Sequence, residues 1–182
     1  MNTLKTACAE IIENEQSSPR RVCFVCTGNT CRSPMAAAVA NHLARGVITT
    51  LPESVRAYAS VPFEALSAGI LAREGDPIAK NAVLALEDAQ ILPDPAHDYH
   101  KHVAHRLTEK EAEGYDLLVG LTREHAVALL IQFPALASRV CCLSTDIPDP
   151  FGGSPEEYRA CLCAIEDGVR DLLFSDEKEA RA

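Results

Sequence analysis

A chain of 182 residues, 47% hydrophobic and 24% charged, can bury one substantial core and has the balance of an ordinary globular domain, which excludes general disorder. A net charge of −9 argues against binding a nucleic-acid backbone through a basic face, yet leaves room for one local anion site. No apolar run approaches the ~18 residues that span a bilayer, and Glu10, Glu13 and Glu15 interrupt what would have to be a secretory leader. The expectation is a cytoplasmic monomer bound to neither membrane nor nucleic acid, its eight cysteines present as thiols rather than as a disulfide framework.

Residues 1–19 read as an N-terminal extension, either poorly ordered or a short helix. Arg21–Cys26, "RVCFVC", is apolar, β-branched and aromatic, as a buried central strand should be. After the loop Thr27–Arg32, Ser33 as N-cap and Pro34 in the first helical position predict a helix reaching Ala44. Residues 46–61 mix Thr, Pro, Ser and Gly and read as a long connection. Phe63–Gly69 is the second predicted strand. Ala79, Ala82, Val83, Leu86 and Ala89 fall at helical spacing, with Asp76-Pro77 as cap and first turn of a helix over 76–90. Residues 92–105 hold four of the six histidines, two prolines and two aspartates, and read as irregular.

Thr108 opens a short helix that Gly114 ends, and Tyr115–Leu121, "YDLLVGL", is the third strand. Thr122 begins a helix to Phe133, and Arg139–Leu143 is a fourth short strand. Following the loop 144–153, Ser154-Pro155-Glu156-Glu157 forms a capping box. The helix it opens carries Tyr158, Cys161, Leu162, Ile165, Val169 and Leu172, and frays into an acidic tail at 176–182. Strands alternating with helices predict an α/β fold: one domain over 20–175, a central parallel four-stranded sheet with helices on both faces, and a phosphate-binding loop after the first strand.

That loop, "VCTGNTCRSP" from Val25 to Pro34, has three competing readings. Zinc would need convergent thiolates. Cys23 and Cys26 lie three apart on a strand, Cys141 and Cys142 are adjacent on another, and Cys161 and Cys163 stand roughly 200° apart around a helix, so none of these pairs converges. No metal and no cofactor are expected, and Cys23, Cys141, Cys142, Cys161 and Cys163 read as small buried apolar residues. A purely structural turn explains two thiols but not Gly28, Asn29, Arg32 and Ser33 at these spacings. The third reading is a thiolate cradle for a phosphoryl group.

Gly28 and Asn29 tolerate positive φ, letting successive backbone N–H groups face inward. The helix start adds unpaired N–H groups and its positive dipole end, and Arg32 a planar fork for two oxygens. A Cys26 thiol so surrounded is expected to ionise readily, and the Ser33 hydroxyl can donate to the thiolate. Thr27, Gly28, Asn29, Thr30, Cys31 and Ser33 are thus candidate substrate-binding residues around the nucleophile Cys26 and the clamp Arg32. Asp149 in "IPDPFGGSPEEY", stiffened by Pro148 and Pro150, is the candidate acid, and Phe151 can line the pocket wall.

With these residues in place the chain resembles the low-molecular-weight protein tyrosine phosphatase family. "VCTGNTCRSP" matches its V-C-x-G-N-x-C-R-S-P signature and "DPFGG" its acid loop, while "SAG" at Ser67–Gly69 and "YDLLVGLT" at Tyr115–Thr122 resemble its second and third strands. His102 falls where the family often has a histidine supporting the loop Asn and Ser, and Ser67 is a second supporting candidate. The resemblance implies that Cys26 attacks phosphorus, that Arg32 and the loop amides hold the equatorial oxygens, and that Asp149 protonates the leaving atom. Asp149 then serves as base for the water that hydrolyses the phosphocysteine, and Cys31 can close a reversible disulfide on oxidised Cys26. The implied partners are phosphorylated proteins. Most tyrosine-directed members carry Ile or Leu before the second loop cysteine, whereas Thr30 and "DPFGG" resemble the protein arginine phosphatases of the family. Phosphoarginine is therefore the expected substrate and phosphotyrosine the alternative. Arsenate reduction needs further relay cysteines, and none occurs between Cys31 and Cys141. A phospho-residue binding or redox-sensing module without turnover would not need Asp149.

Overall fold

The computed structural model describes residues 20–50, 63–93 and 95–173. Four parallel strands form one sheet in the order β2-β1-β3-β4: β1 Arg20–Cys26, β2 Phe63–Gly69, β3 Leu117–Gly120 and β4 Val140–Cys142. The helices are α1 Arg32–Thr50, α2 Lys80–Asp88, α3 Glu109–Ala112, α4 Arg123–Gln132 and α5 Pro155–Leu173, with 3₁₀ turns at Tyr99–Lys101 and Pro134–Arg139. This is the α/β architecture expected of the sequence. Because side chains alternate along a strand, β1 divides between two cores. Phe24 and Cys26 pack with Met35, Val39, Leu86 and Ile165 beneath α1, α2 and α5. Cys23 and Val25 pack with Leu118, Leu129 and Phe133 beneath α3 and α4. Covered on both faces and flanked by strands on both edges, β1 is buried from Val22 to Cys26, which is why it reads as a continuous apolar run.

Several boundaries differ from the sequence expectation. Helix α1 opens at Arg32, with Met35 N bonded to Cys31 O at 3.2 Å, so Ser33 lies inside the helix instead of capping it. Pro34 then falls in the first turn, where its missing N–H costs nothing. The same helix runs past Gly46 to Thr50, since one glycine costs only about 1 kcal/mol against a helix packed on β2 and α5. Helix α2 starts at Lys80, not at Asp76-Pro77. Those two residues instead pair with the segment at 103–104, through Ala104 N to Asp76 O at 2.8 Å and the bridge Pro77–Val103. Thr108 and Thr122 do cap α3 and α4, accepting from Glu111 N and His125 N. Ser154 and Glu157 exchange reciprocal bonds of 2.7 and 3.3 Å as a capping box. The extension 1–19, residues 51–61 of the long connection and the tail 176–182 lie outside the described residues. Among the described residues, no helix is long and apolar enough to cross a membrane.

The carboxyl ends of the strands flanking β1 are glycines, Gly69 opposite Cys26 and Gly120 opposite Val25. A Cβ on Gly69 would lie 2.8 Å from Thr27 O, and one on Gly120 would lie 2.6 Å from Ala126 N and 2.9 Å from Thr122 O. Both keep room for backbone at the edge where ligands of open α/β sheets bind. Gly120→Ala should therefore destabilise the fold by about 2–3 kcal/mol, by forcing α4 away from β3. Urea unfolding of the purified variant measures this, and a shift under about 1 kcal/mol would show that α4 yields at little cost.

Candidate active site

Residues 27–31 carry the chain from the end of β1 to the start of α1, and Asn29 dictates their path. It is fully buried and sits at φ 55°, a left-handed conformation that asparagine tolerates better than most residues. Its amide donates to Ser33 Oγ and Ser67 Oγ, both at 3.0 Å, and its Oδ1 accepts from His105 N at 3.1 Å. Its carbonyl lies 2.7 Å from His102 Nε2. The other loop carbonyls are also taken from outside: Cys26 O by Ile70 N, Thr27 O by Leu71 N and Thr30 O by Ala79 N, at 2.8–3.0 Å. A peptide carbonyl and the following N–H point in opposite directions. With the carbonyls of Cys26, Thr27, Asn29 and Thr30 directed outward, the N–H groups of Thr27, Gly28, Thr30 and Cys31 face the concave side, which makes a nest for an anion.

Cys26 is buried, with its Sγ 3.1 Å from Ser33 Oγ. Ser33 Oγ also accepts from Asn29 and lies 3.2 Å from Ala68 O, to which it can donate. The hydroxyl therefore has two settings. Toward a thiol it accepts S–H and gives its own proton to Ala68 O; toward a thiolate it rotates that proton onto sulfur.

Arg32 is buried too, and its Nη1 donates to Ile147 O at 3.2 Å. Its Nη2 meets Asp149 Oδ2 at 2.8 Å, while its buried Nε has no partner among the described residues. Leaving a buried N–H unpaired is costly, and an oxygen of a bound anion would satisfy it. Asp149, about half exposed, also accepts from Phe151 N at 3.3 Å. Phe151 itself is 75% exposed at the rim. The acid loop leans on α5, where Cys161 Sγ is 3.7 Å from Pro148 O.

The structure thus brings Cys26, Arg32, Ser33 and Asp149 to one place, with Thr27, Gly28, Thr30 and Cys31 along the loop and Ser67 and His102 behind it. Cys31 points away from the nest toward Tyr158, whose hydroxyl is 3.1 Å from its Sγ, and burial pushes its pKa up. One correction concerns the remaining cysteines. Cys163 is exposed because it lies on the face of α5 opposite the buried Cys161, and Cys142, at the end of the edge strand β4, is half-buried. Among the described residues no three His, Cys, Asp or Glu side chains converge as a metal site.

A residue absent from the sequence reading is His125 in the first turn of α4. Its ring bridges two hydroxyls, Thr122 Oγ1 at 2.9 Å from Nδ1 and Thr27 Oγ1 at 3.0 Å from Nε2. Burial, helped by the charge of Arg32, pulls its pKa down to about 4, so it is neutral at pH 7. The only signal in the sequence is the Thr-x-x-His spacing, which accounts for Thr122 but not for Thr27. Thr27, Arg32, His125, Asp146 and Asp149 line one cleft of about 450 Å³.

A thiol beneath an amide nest, an arginine with an unused N–H and a carboxylate on a proline-braced loop define a cysteine-dependent phosphatase site on a doubly wound sheet. The chain belongs to the low molecular weight phosphotyrosine protein phosphatase family, whose profile matches residues 21–182. It is 32% identical to the protein-arginine-phosphatase of Bacillus subtilis, over 88% of this chain and 99% of that protein. To the low molecular weight protein-tyrosine-phosphatase PtpB of Staphylococcus epidermidis it is 31% identical, over 86% and 99%. A solved structure of the YwlE arginine phosphatase, a mutant with a phosphorylated active-site serine, superposes with a TM-score of 0.70 at 30% identity, covering 88% of this chain and 98% of that one. The family's phosphatases use a cysteine nucleophile.

His125 also makes stability depend on pH. Its pKa falls from 6.5 unfolded to about 4 folded, so the unfolded chain binds the proton more readily. The resulting stability is fully present above pH 6.5 and is lost as pH falls toward 4. Between pH 7.5 and 4.5 the loss from this residue should be about 2–3 kcal/mol. Urea unfolding at both pH values, in wild type and His125→Gln, should show a correspondingly smaller acid loss in the variant. Equal losses would mean that His125 is already protonated in the fold.

Proposed function

We propose that this protein hydrolyses phosphoarginine in proteins through a phosphocysteine on Cys26. The thiolate of Cys26 attacks phosphorus, the P–N bond breaks, and Asp149 gives its proton to the departing guanidine nitrogen. The amide nest and Arg32, including its orphaned Nε, hold the three equatorial oxygens. Water then attacks the phosphocysteine and Asp149 takes the proton back. The P–S bond breaks with its electron pair on sulfur, and the Ser33 hydroxyl receives the restored thiolate.

The observation that carries the substrate choice is the composition of the cleft beside Arg32. Its wall holds the carboxylates of Asp149, Asp146 and Glu124, against only Ile147 and Pro148 as apolar side chains. A cationic, planar guanidinium finds charge partners there in Asp146 and Glu124 while Asp149 serves as the acid, whereas a phenyl ring would desolvate carboxylates and pair none of them. Thr30 in the position that most tyrosine-directed members fill with Ile or Leu agrees with this. Two of the similar proteins, from Bacillus subtilis and Geobacillus stearothermophilus, are themselves protein-arginine-phosphatases. Phosphotyrosine is the second reading, favoured by the exposed Phe151, a surface on which a phenyl ring can stack.

Peptides of one sequence carrying either phosphoarginine or phosphotyrosine separate the two. The expected kcat/KM ratio is about tenfold or more in favour of phosphoarginine, narrowing in Thr30→Ile. Cys26→Ala should abolish turnover of both. A wild type that prefers phosphotyrosine would overturn the substrate assignment, and residual turnover by Cys26→Ala would overturn the mechanism.

A further inference from the structure

The hydrolytic half of the proposed reaction needs a water held opposite the sulfur. Such a water attacks with a lone pair and must place two hydrogens. Asp149 takes one as base. On the cleft wall, Asp146 Oδ1 already accepts from Arg123 N at 2.8 Å, and Thr122 Oγ1 both accepts from His125 N and pairs with His125 Nδ1. Thr27, whose Oγ1 has His125 Nε2 as its one hydrogen-bond partner among the described residues, keeps capacity for another bond. It directly follows Cys26, lines the same cleft as Asp149, and its Oγ1 is fixed by His125 Nε2 at 3.0 Å.

We propose that Thr27 Oγ1 is the second hydrogen-bond partner of the water that hydrolyses the phosphocysteine, and that His125 is the positioning residue that holds this hydroxyl in place. The proposal rests on the phosphocysteine reading above. A neutral imidazole has one N–H and one lone pair, and each of its two hydroxyl neighbours can donate or accept. If Nε2 carries the hydrogen, it donates to Thr27 Oγ1 and one lone pair of that oxygen stays free. If Nδ1 carries it, Thr27 donates to Nε2 and both lone pairs stay free. In either tautomer Thr27 Oγ1 can accept from the water while Asp149 accepts the proton that leaves. The atoms balance as water oxygen joins phosphorus, the P–S pair returns to Cys26, one proton moves to Asp149, and the second stays on the new phosphate oxygen. His125 never touches the reacting atoms. Buried and bridged at both nitrogens, it ties the Thr27 rotamer to the N-cap of α4.

The prediction divides the two half-reactions. With p-nitrophenyl phosphate, kcat/KM reports events up to release of p-nitrophenol and kcat includes hydrolysis of the phosphoenzyme. Thr27→Val and His125→Gln should lower kcat by about tenfold, the worth of one lost hydrogen bond, and leave kcat/KM within about twofold. KM should fall with kcat, and rapid mixing should show a p-nitrophenolate burst approaching one per enzyme. Thr27→Ser, which keeps the hydroxyl, should retain the wild-type kcat. If kcat and kcat/KM fall together, Thr27 and His125 merely shape the loop and the proposal fails. It also fails if Thr27→Val leaves both constants unchanged. Should His125→Gln fail to fold, the nearly isosteric Thr27→Val decides alone. Acid-quenched wild type must yield phosphocysteine on Cys26, and its absence would overturn the underlying mechanism rather than the role of Thr27.

Discussion

Asn29 ties together parts of the chain that have no other reason to meet. From one buried side chain in a left-handed turn it bonds Ser33 on α1, Ser67 on β2 and the backbone of His105, while its carbonyl engages His102. Alanine could not make these bonds, and glycine would supply the conformation without them. Because the loop carbonyls are committed outward, its N–H groups are presented inward without any ligand to arrange them. The cost of that arrangement is met by hydrogen bonds behind the loop, so the concave side is free to bind.

The charges in front of the loop follow a second logic. Arg32 has little exposed surface and keeps one guanidinium N–H unpaired, while its ion pair with Asp149 joins clamp and acid across the cleft mouth. A cationic histidine beside Arg32 would oppose it, and burial with that same charge keeps His125 neutral. The cleft therefore combines one fixed positive group with a carboxylate-bearing wall. The thiols divide in the same way. Cys26 sits in the nest against Ser33, while burial raises the pKa of Cys31 and, to about 12, that of Cys161.

Helix α5 shows how far the support of the site extends from its chemistry. It contributes no loop residue, yet its Tyr158 meets Cys31 and its Cys161 lies against the carbonyl of Pro148. Asn81 of α2 reaches the same loop, donating to Gly153 O at 3.0 Å. Asp149 is thus braced from three directions: by its own prolines, by α5 and by α2. A loop of this kind keeps Asp149 near Arg32 at a lower entropic cost than a free loop would.

Much of this was legible in the sequence because it depends on local chemistry. The apolar period of β1, the Thr108, Thr122 and Ser154 caps, the positive-φ capacity of Asn29 and the Cys26–Arg32 spacing all act within a few residues of themselves. The starts of α1 and α2 were not legible. The 103–104 segment claimed Asp76, a contact that local propensity does not encode, and α1 begins with the bond from Met35 N to Cys31 O, ahead of Ser33. Nor was the orientation of Cys31 toward Tyr158, 127 residues away, or the pairing of His125 with Thr27 across 98. The sequence by itself determined the kind of protein and placed Cys26 and Arg32 as the candidates for its nucleophile and clamp, because a short loop between a strand and a helix has few ways to fold. Only the tertiary structure decided what surrounds them, because parallel strands bring together residues far apart in the chain, and which side chains then meet depends on packing rather than spacing.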